Sequence, residues 1–157
     1  MSDKVDITLT INGRDYAIRV EPRKTLVDAI REDCGQTGTH IGCEHGVCGT
    51  CTVILDNDAV RSCLMFAVQA QGKNIRTVEG LGTPDKPHPI QAAYVEEQVL
   101  QCGYCINGWI MTAAALLNEK KKPTDAEIKN ALTGLKCRCG THMAILRAVH
   151  RAAEMMG

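Results

Sequence analysis

Gly42-Cys43-Glu44-His45-Gly46-Val47-Cys48-Gly49-Thr50-Cys51 sets three cysteines in a glycine-rich loop with C-x4-C-x2-C spacing, and Cys63 follows after eleven intervening residues. This is the spacing of a plant-type two-iron site, in which a loop wraps the cluster and the fourth thiolate returns from another element. An all-thiolate cluster is anionic and needs backbone N–H groups aimed at its sulfurs. Gly42, Gly46 and Gly49 let the chain come close enough to provide them. A structural zinc site is the competing reading, but such sites usually present two short cysteine pairs rather than a wrapping loop.

Four of the remaining five cysteines form a second set, Cys102-x2-Cys105 and Cys137-x-Cys139. Spacing alone leaves zinc open here. The first pair begins one expected helix and the second immediately precedes another, so two helix N-termini could direct unpaired N–H groups and positive dipole ends toward an anionic group. Cys34 fits neither spacing and reads as a buried, unligated thiol. His40, His45, His88, His142 and His150 are not needed as ligands, because four cysteines complete each set. Trp109 and Met111 read as core.

Outward from the first loop, the N-terminal half reads as β. Val5, Ile7, Leu9 and Ile11 alternate with polar residues, Asn12-Gly13 supplies a tight turn, and Tyr16, Ile18 and Val20 resume the alternation. Thr25 caps an expected helix running to Glu32. Strands are expected over 51–55, 59–63 and 74–78, the first two joined through Asp56-Asn57-Asp58. Gly80 to Pro89 is rich in glycine and proline and marks the expected boundary. Beyond it the period turns helical, over 90–100, 104–118, 125–132 and 141–155. Thr124 and Glu127 form a capping-box pattern, and Lys120 to Lys122 read as a solvated helix end. The expected fold is α+β, a ferredoxin-like β-grasp unit over 1–80 followed by a four-helix bundle over 81–157.

Lys plus Arg and Asp plus Glu number 18 each, so no basic field is available for nucleic acid. The first residues lack the apolar core of a secretory signal, and no apolar run is long enough for direct membrane insertion. Nine cysteines without such a signal favour metal binding over disulfides, in a cytoplasmic setting. No Ser/His/Asp set or carboxylate pair stands out as catalytic. A free-standing ferredoxin shuttle would leave the helical half unexplained, and a zinc-bound interaction module would need no redox chemistry.

The strings Gly42-Cys43-Glu44-His45-Gly46-Val47-Cys48-Gly49-Thr50-Cys51-Thr52-Val53, Gln101-Cys102-Gly103-Tyr104-Cys105 and Cys137-Arg138-Cys139-Gly140 resemble the small iron–sulfur subunit of the xanthine oxidase family of molybdenum hydroxylases. The resemblance runs from the first hairpin to the last helix. It implies two [2Fe–2S] clusters, one on Cys43, Cys48, Cys51 and Cys63 and one on Cys102, Cys105, Cys137 and Cys139, which settles the second set against zinc. It also implies a non-catalytic electron-transfer subunit of an oxidoreductase. The large partner subunit would hold molybdopterin, as the cytosine dinucleotide, and insert water-derived oxygen into a C–H bond of a heteroaromatic or aldehyde substrate. Gln101 and Cys139 match positions that contact the pterin. Cys139-Gly140-Thr141-His142 departs from the commoner Cys-Thr-Gly-Tyr continuation. It is similar to the branch containing nicotinate and isoquinoline dehydrogenases, which implies a cytochrome-containing acceptor rather than an FAD-containing one and membrane association through that partner.

Overall fold

The computed structural model describes residues 3–157; Met1 and Ser2, which open the expected N-terminal unit, lie outside the described residues. The chain is α+β, with a five-stranded mixed sheet and five α-helices among the described residues. Strands β1 (Val5–Ile11) and β2 (Arg14–Val20) form an antiparallel hairpin, and its turn puts Asn12 and Gly13 at φ 53° and 78° as a twisted two-residue hairpin requires. β3 (Thr52–Leu55) and β4 (Asp58–Arg61) form the second hairpin. β5 (Asn74–Arg76) pairs parallel to β1 and antiparallel to β3, which gives the order β2-β1-β5-β3-β4.

The helix begun by Thr25 differs from expectation. Thr25 Oγ1 accepts from the Asp28 N–H, but only Leu26–Asp28 (α1) is α-helical, and Ala29–Asp33 continues as a π-helix. Leu26, Ala29 and Ile30 are fully buried against Ile7, Leu9, Ile11, Val53 and Ile75. The apolar face is therefore satisfied although the hydrogen-bond period is wider. β4 ends at Arg61, and Ser62–Leu64 turns as a 3-10 helix, which carries Cys63 out of the strand direction.

Four further helices follow: α2 (Pro89–Glu96), α3 (Ile106–Glu119), α4 (Asp125–Ala131) and α5 (His142–Met155). The His88 side chain accepts from the Ile90 N–H and Pro89 takes the first helical position, so α2 starts where an N-terminal proline is tolerated. It stops at Glu96 rather than 100, because Gln98 takes a left-handed φ of 50°. Thr124 and Glu127 form the expected capping box on α4, and Glu127 also pairs with exposed Lys120.

The apolar interior is in two parts that share one strand. All four β3 residues are buried. Because strand side chains alternate, Val53 and Leu55 face the core of the sheet and α1, whereas Ile54 joins Trp109, Ala113, Leu117, Ile145 and Val149 on the other side. α3 thus packs on the sheet itself, not only on other helices. No helix among the described residues is long and apolar enough to cross a membrane.

Candidate metal centres

The structure brings eight of the nine cysteines together as four sulfur pairs. In the first set Cys43 stands beside Cys48 and Cys51 beside Cys63, each pair within side-chain hydrogen-bonding reach. In the second, Cys102 and Cys139 have their sulfurs 3.4 Å apart and Cys105 interacts with Cys137. Among the described residues no group of three or more His, Cys, Asp or Glu side chains closes on a single point. Two pairs per site suit a two-iron rhomb, in which each iron takes two thiolates, better than one tetrahedral ion. Cys34 lies apart, in the sheet core, where burial pushes its thiol up to about 11.

The first loop also presents the expected N–H groups. Cys48 N donates to Cys43 Sγ at 3.4 Å and Thr50 N to Cys48 Sγ at 3.5 Å. Gly49 is buried at φ +77°, and a Cβ there would lie 2.1 Å from Leu135 Cδ2 and 3.1 Å from Arg61 Nη2, so the close approach requires glycine. Arg61 is half-buried and donates to Thr52 Oγ1 at 2.6 Å, which places a cation beside the loop. Burial would raise the Cys43 thiol, but the Cys48, His45 and Val47 N–H groups outweigh it and hold it at about 6. Its inner neighbour Cys63 is pushed up to about 12, chiefly by burial.

At the second set Cys105 is the N-cap of α3, and Thr141, two residues after Cys139, is the N-cap of α5. Cys137 Sγ lies 3.3 Å from Thr141 Oγ1. Burial opposes ionisation of Cys137, yet the Thr141 hydroxyl and backbone N–H hold it at about 7. Cys105, deeper in the helical core, is pushed up to about 12 by burial. The ionised form is thus favoured at Cys43 and Cys137 and opposed by burial at Cys63 and Cys105, where a bound metal would supply the missing stabilisation. These residues fit the cluster chemistry.

Gln101 is exposed and donates Nε2 to the Cys139 carbonyl at 3.3 Å, so it joins the two cysteine segments. The histidines make local contacts. His45 meets the Cys43 carbonyl, His40 stacks on Tyr104 at 4.9 Å between centroids, and His150 pairs with Asp125.

Three links between the sets are absent from any spacing rule. Lys136 N donates to the Cys48 carbonyl at 3.0 Å, so one hydrogen bond separates a residue of the first loop from the residue before Cys137. Buried Asn107 donates Nδ2 to the Thr50 carbonyl at 2.7 Å. The Tyr104 hydroxyl donates to the Ile41 carbonyl at 2.5 Å, and its own carbonyl lies 2.7 Å from His40 Nδ1. Only the placement of Asn107 and Tyr104 within two residues of Cys105 could have pointed to them.

Residues 9–76 match the 2Fe-2S iron-sulfur cluster binding domain family, and residues 77–150 match the [2Fe-2S] binding domain family. The chain is 44% identical over 152 residues to the nicotinate dehydrogenase small FeS subunit of Eubacterium barkeri, covering 97% of each protein. It is 44% identical over 156 residues to the nicotine 6-hydroxylase small subunit of Paenarthrobacter nicotinovorans, covering 99% of this chain and 94% of that one. It superposes on the structure of quinoline 2-oxidoreductase from Pseudomonas putida 86 with a TM-score of 0.92 and 43% identity, over 98% of this chain and 96% of that chain. With both cluster-domain families matched end to end and relatives of this identity over nearly full length, the chain belongs to the xanthine oxidase family of molybdenum hydroxylases as a [2Fe–2S] iron–sulfur subunit.

Proposed function

We propose that this chain is the electron-transfer subunit of a molybdenum-dependent dehydrogenase, with one [2Fe–2S] cluster on Cys43, Cys48, Cys51 and Cys63 and a second on Cys102, Cys105, Cys137 and Cys139. The observation that carries this reading is the gathering of eight thiols into four pairs, two pairs to each site. When bound, each cluster supplies a one-electron redox site. The chain's own contribution is to hold the sulfurs, aim N–H groups at them and keep the two sites joined through Lys136 and Asn107. Residues 1–80 form the β-grasp unit and 81–157 the four-helix unit, a division the two apolar cores follow except where Ile54 and Val78 join the helical core.

A large partner subunit holds molybdopterin, as the cytosine dinucleotide, and acts on a heteroaromatic or aldehyde substrate. The nicotinate, nicotine and quinoline of the relatives' names favour the heteroaromatic class. Cys102 is exposed, and Gln101 and Cys139 beside it face the pterin. The chain passes electrons from that end toward the Cys43 loop. There a cytochrome-containing partner, favoured over an FAD-containing one by Cys139-Gly140-Thr141-His142, accepts them in the cytoplasm or at the membrane surface.

Metal analysis of the purified complex tests the ligand assignment. About four iron and four sulfide per chain are expected, falling to about two of each in Cys48→Ser or Cys105→Ser and unchanged in Cys34→Ser. Either cluster variant with full iron would refute the assignment. Freeze-quench spectroscopy tests the direction: the Cys102 site should be reduced before the Cys43 site. Gln101→Leu should keep the iron yet slow that first reduction or loosen the pterin, and wild-type behaviour in both would remove Gln101 from the contact.

A further inference from the structure

Trp109 follows Cys105 by four residues on α3, one helical turn, so both stand on the same side of the helix. The tryptophan is 3% exposed, and its Nε1–H has no hydrogen-bond partner. A buried N–H without an acceptor is disfavoured, so an orphan of this kind calls for a group that completes it. His142 meets the indole edge-on, with centroids 5.3 Å apart and planes at 79°. The group beside the indole is Cys105. The indole N–H approaches its sulfur without completing a hydrogen bond to it. A second orphan lies in the same helical core: the Tyr94 hydroxyl is buried without a partner.

We propose that the Trp109 indole N–H donates a hydrogen bond to the Cys105 sulfur when that sulfur is a cluster ligand, and that this bond raises the reduction potential of the second site. The inference rests on the ligand assignment proposed above. A thiolate is a stronger acceptor than a thiol, and a bond to it is charge-assisted. It strengthens as the site gains an electron, so it favours the reduced form. Hydrogen bonds to cluster sulfurs are among the factors that set such potentials. Water has little access to replace the donor, because Trp109 is almost fully buried in the helical core. Trp109 acts through Cys105 and is a positioning residue, not a catalytic one.

The test is a redox titration followed by electron paramagnetic resonance on the assembled complex, with Trp109→Phe and with Trp109 replaced by 3-benzothienylalanine. That analogue keeps the bicyclic shape and removes only the N–H. In both variants the midpoint of the Cys102 site should fall by about 59 mV, a tenfold change for a one-electron couple. The Cys43 site should stay where it is. Iron content is read in the same samples: a wild-type value well below about four per chain would overturn the ligand assignment itself. An unmoved Cys102 midpoint at full iron loading would overturn the Trp109 proposal alone. So would a shift in the phenylalanine variant that the isostere lacks, since it would come from packing. Should Trp109→Phe lose the cluster, the isostere decides.

Discussion

Cys43, Cys48 and Cys51 lie within nine consecutive residues, whereas the second set draws on two segments whose first cysteines are 35 positions apart. The first loop lies between the π-helical stretch and β3, and its backbone already bonds its own sulfurs. The segments 97–105 and 132–141 have no regular α or β structure and meet through Gln101 and the Cys102–Cys139 contact. Closing the longer separation costs more chain entropy than closing the local loop, though the cost grows only slowly with length. On this contrast the first site is expected to be set by the fold and the second to help set it.

Iron removal should expose that contrast most strongly. Chelation is expected to lower Tm by roughly 10 °C or more, because metal-binding free energy becomes folding free energy when the site is not preformed. Hydrogen exchange should accelerate first at 98–106 and 133–142, while β1, β2 and β5 stay protected. Equal loss of protection in the hairpin would mean that the sheet depends on its cluster as much as the helices do.

The next largest effect should come from Gly108, where the halves touch. A Cβ on Gly108 would lie 2.2 Å from the Gly49 carbonyl oxygen, a backbone atom that cannot rotate away. Gly108→Ala should therefore push α3 off the first loop at a cost of about 1–3 kcal/mol. Although the residue follows Cys105, iron should be lost from the Cys43 site; loss confined to the Cys102 site would show the sites to be structurally independent.

How much of this was legible in the sequence depends on distance along the chain. Asn12-Gly13 signals its hairpin because two adjacent residues must take positive φ, and the Thr124–Glu127 cap is a three-residue relation. The centres of the helices follow the apolar period, but the end of α2 does not, because the φ of Gln98 answers to the irregular segment that carries Cys102. The π-helical stretch after Thr25 was hidden, since its apolar face reads the same at either period. Spacing named the cysteines, yet not their pairing or the Asn107, Lys136 and Trp109 contacts. Those partners lie far apart in sequence or are orphans visible only once burial is known.

Asn107 sharpens the comparison at a smaller scale. Its Nδ2–H satisfies the buried Thr50 carbonyl, while its own Oδ1 has no partner. Asn107→Leu strands the carbonyl but also removes an orphan, so the net loss should be about 1–2 kcal/mol, or roughly 2–8 °C in Tm. Thermal melting of the iron-loaded chain would check this. A stabilised variant would show that the tie between loop and helix is not needed for stability.

The smallest effect should be at Tyr104, which clasps the two halves from the solvent side. Its hydroxyl bonds the Ile41 carbonyl, its carbonyl meets His40 Nδ1, and its ring stacks on His40 at 4.9 Å. Tyr104 is 52% exposed, so water can replace the lost donor and Tyr104→Phe should cost well under about 1 kcal/mol. The stack and the backbone contact survive that change. Tyr104→Ala loses the ring contact as well and should cost about 0.5–1.5 kcal/mol more. Melting curves for the two variants separate hydroxyl from ring. If phenylalanine proved as damaging as alanine, the Ile41 bond would be the true clasp, and the exposed edge would hold the halves together as firmly as buried Asn107 and Gly108 do.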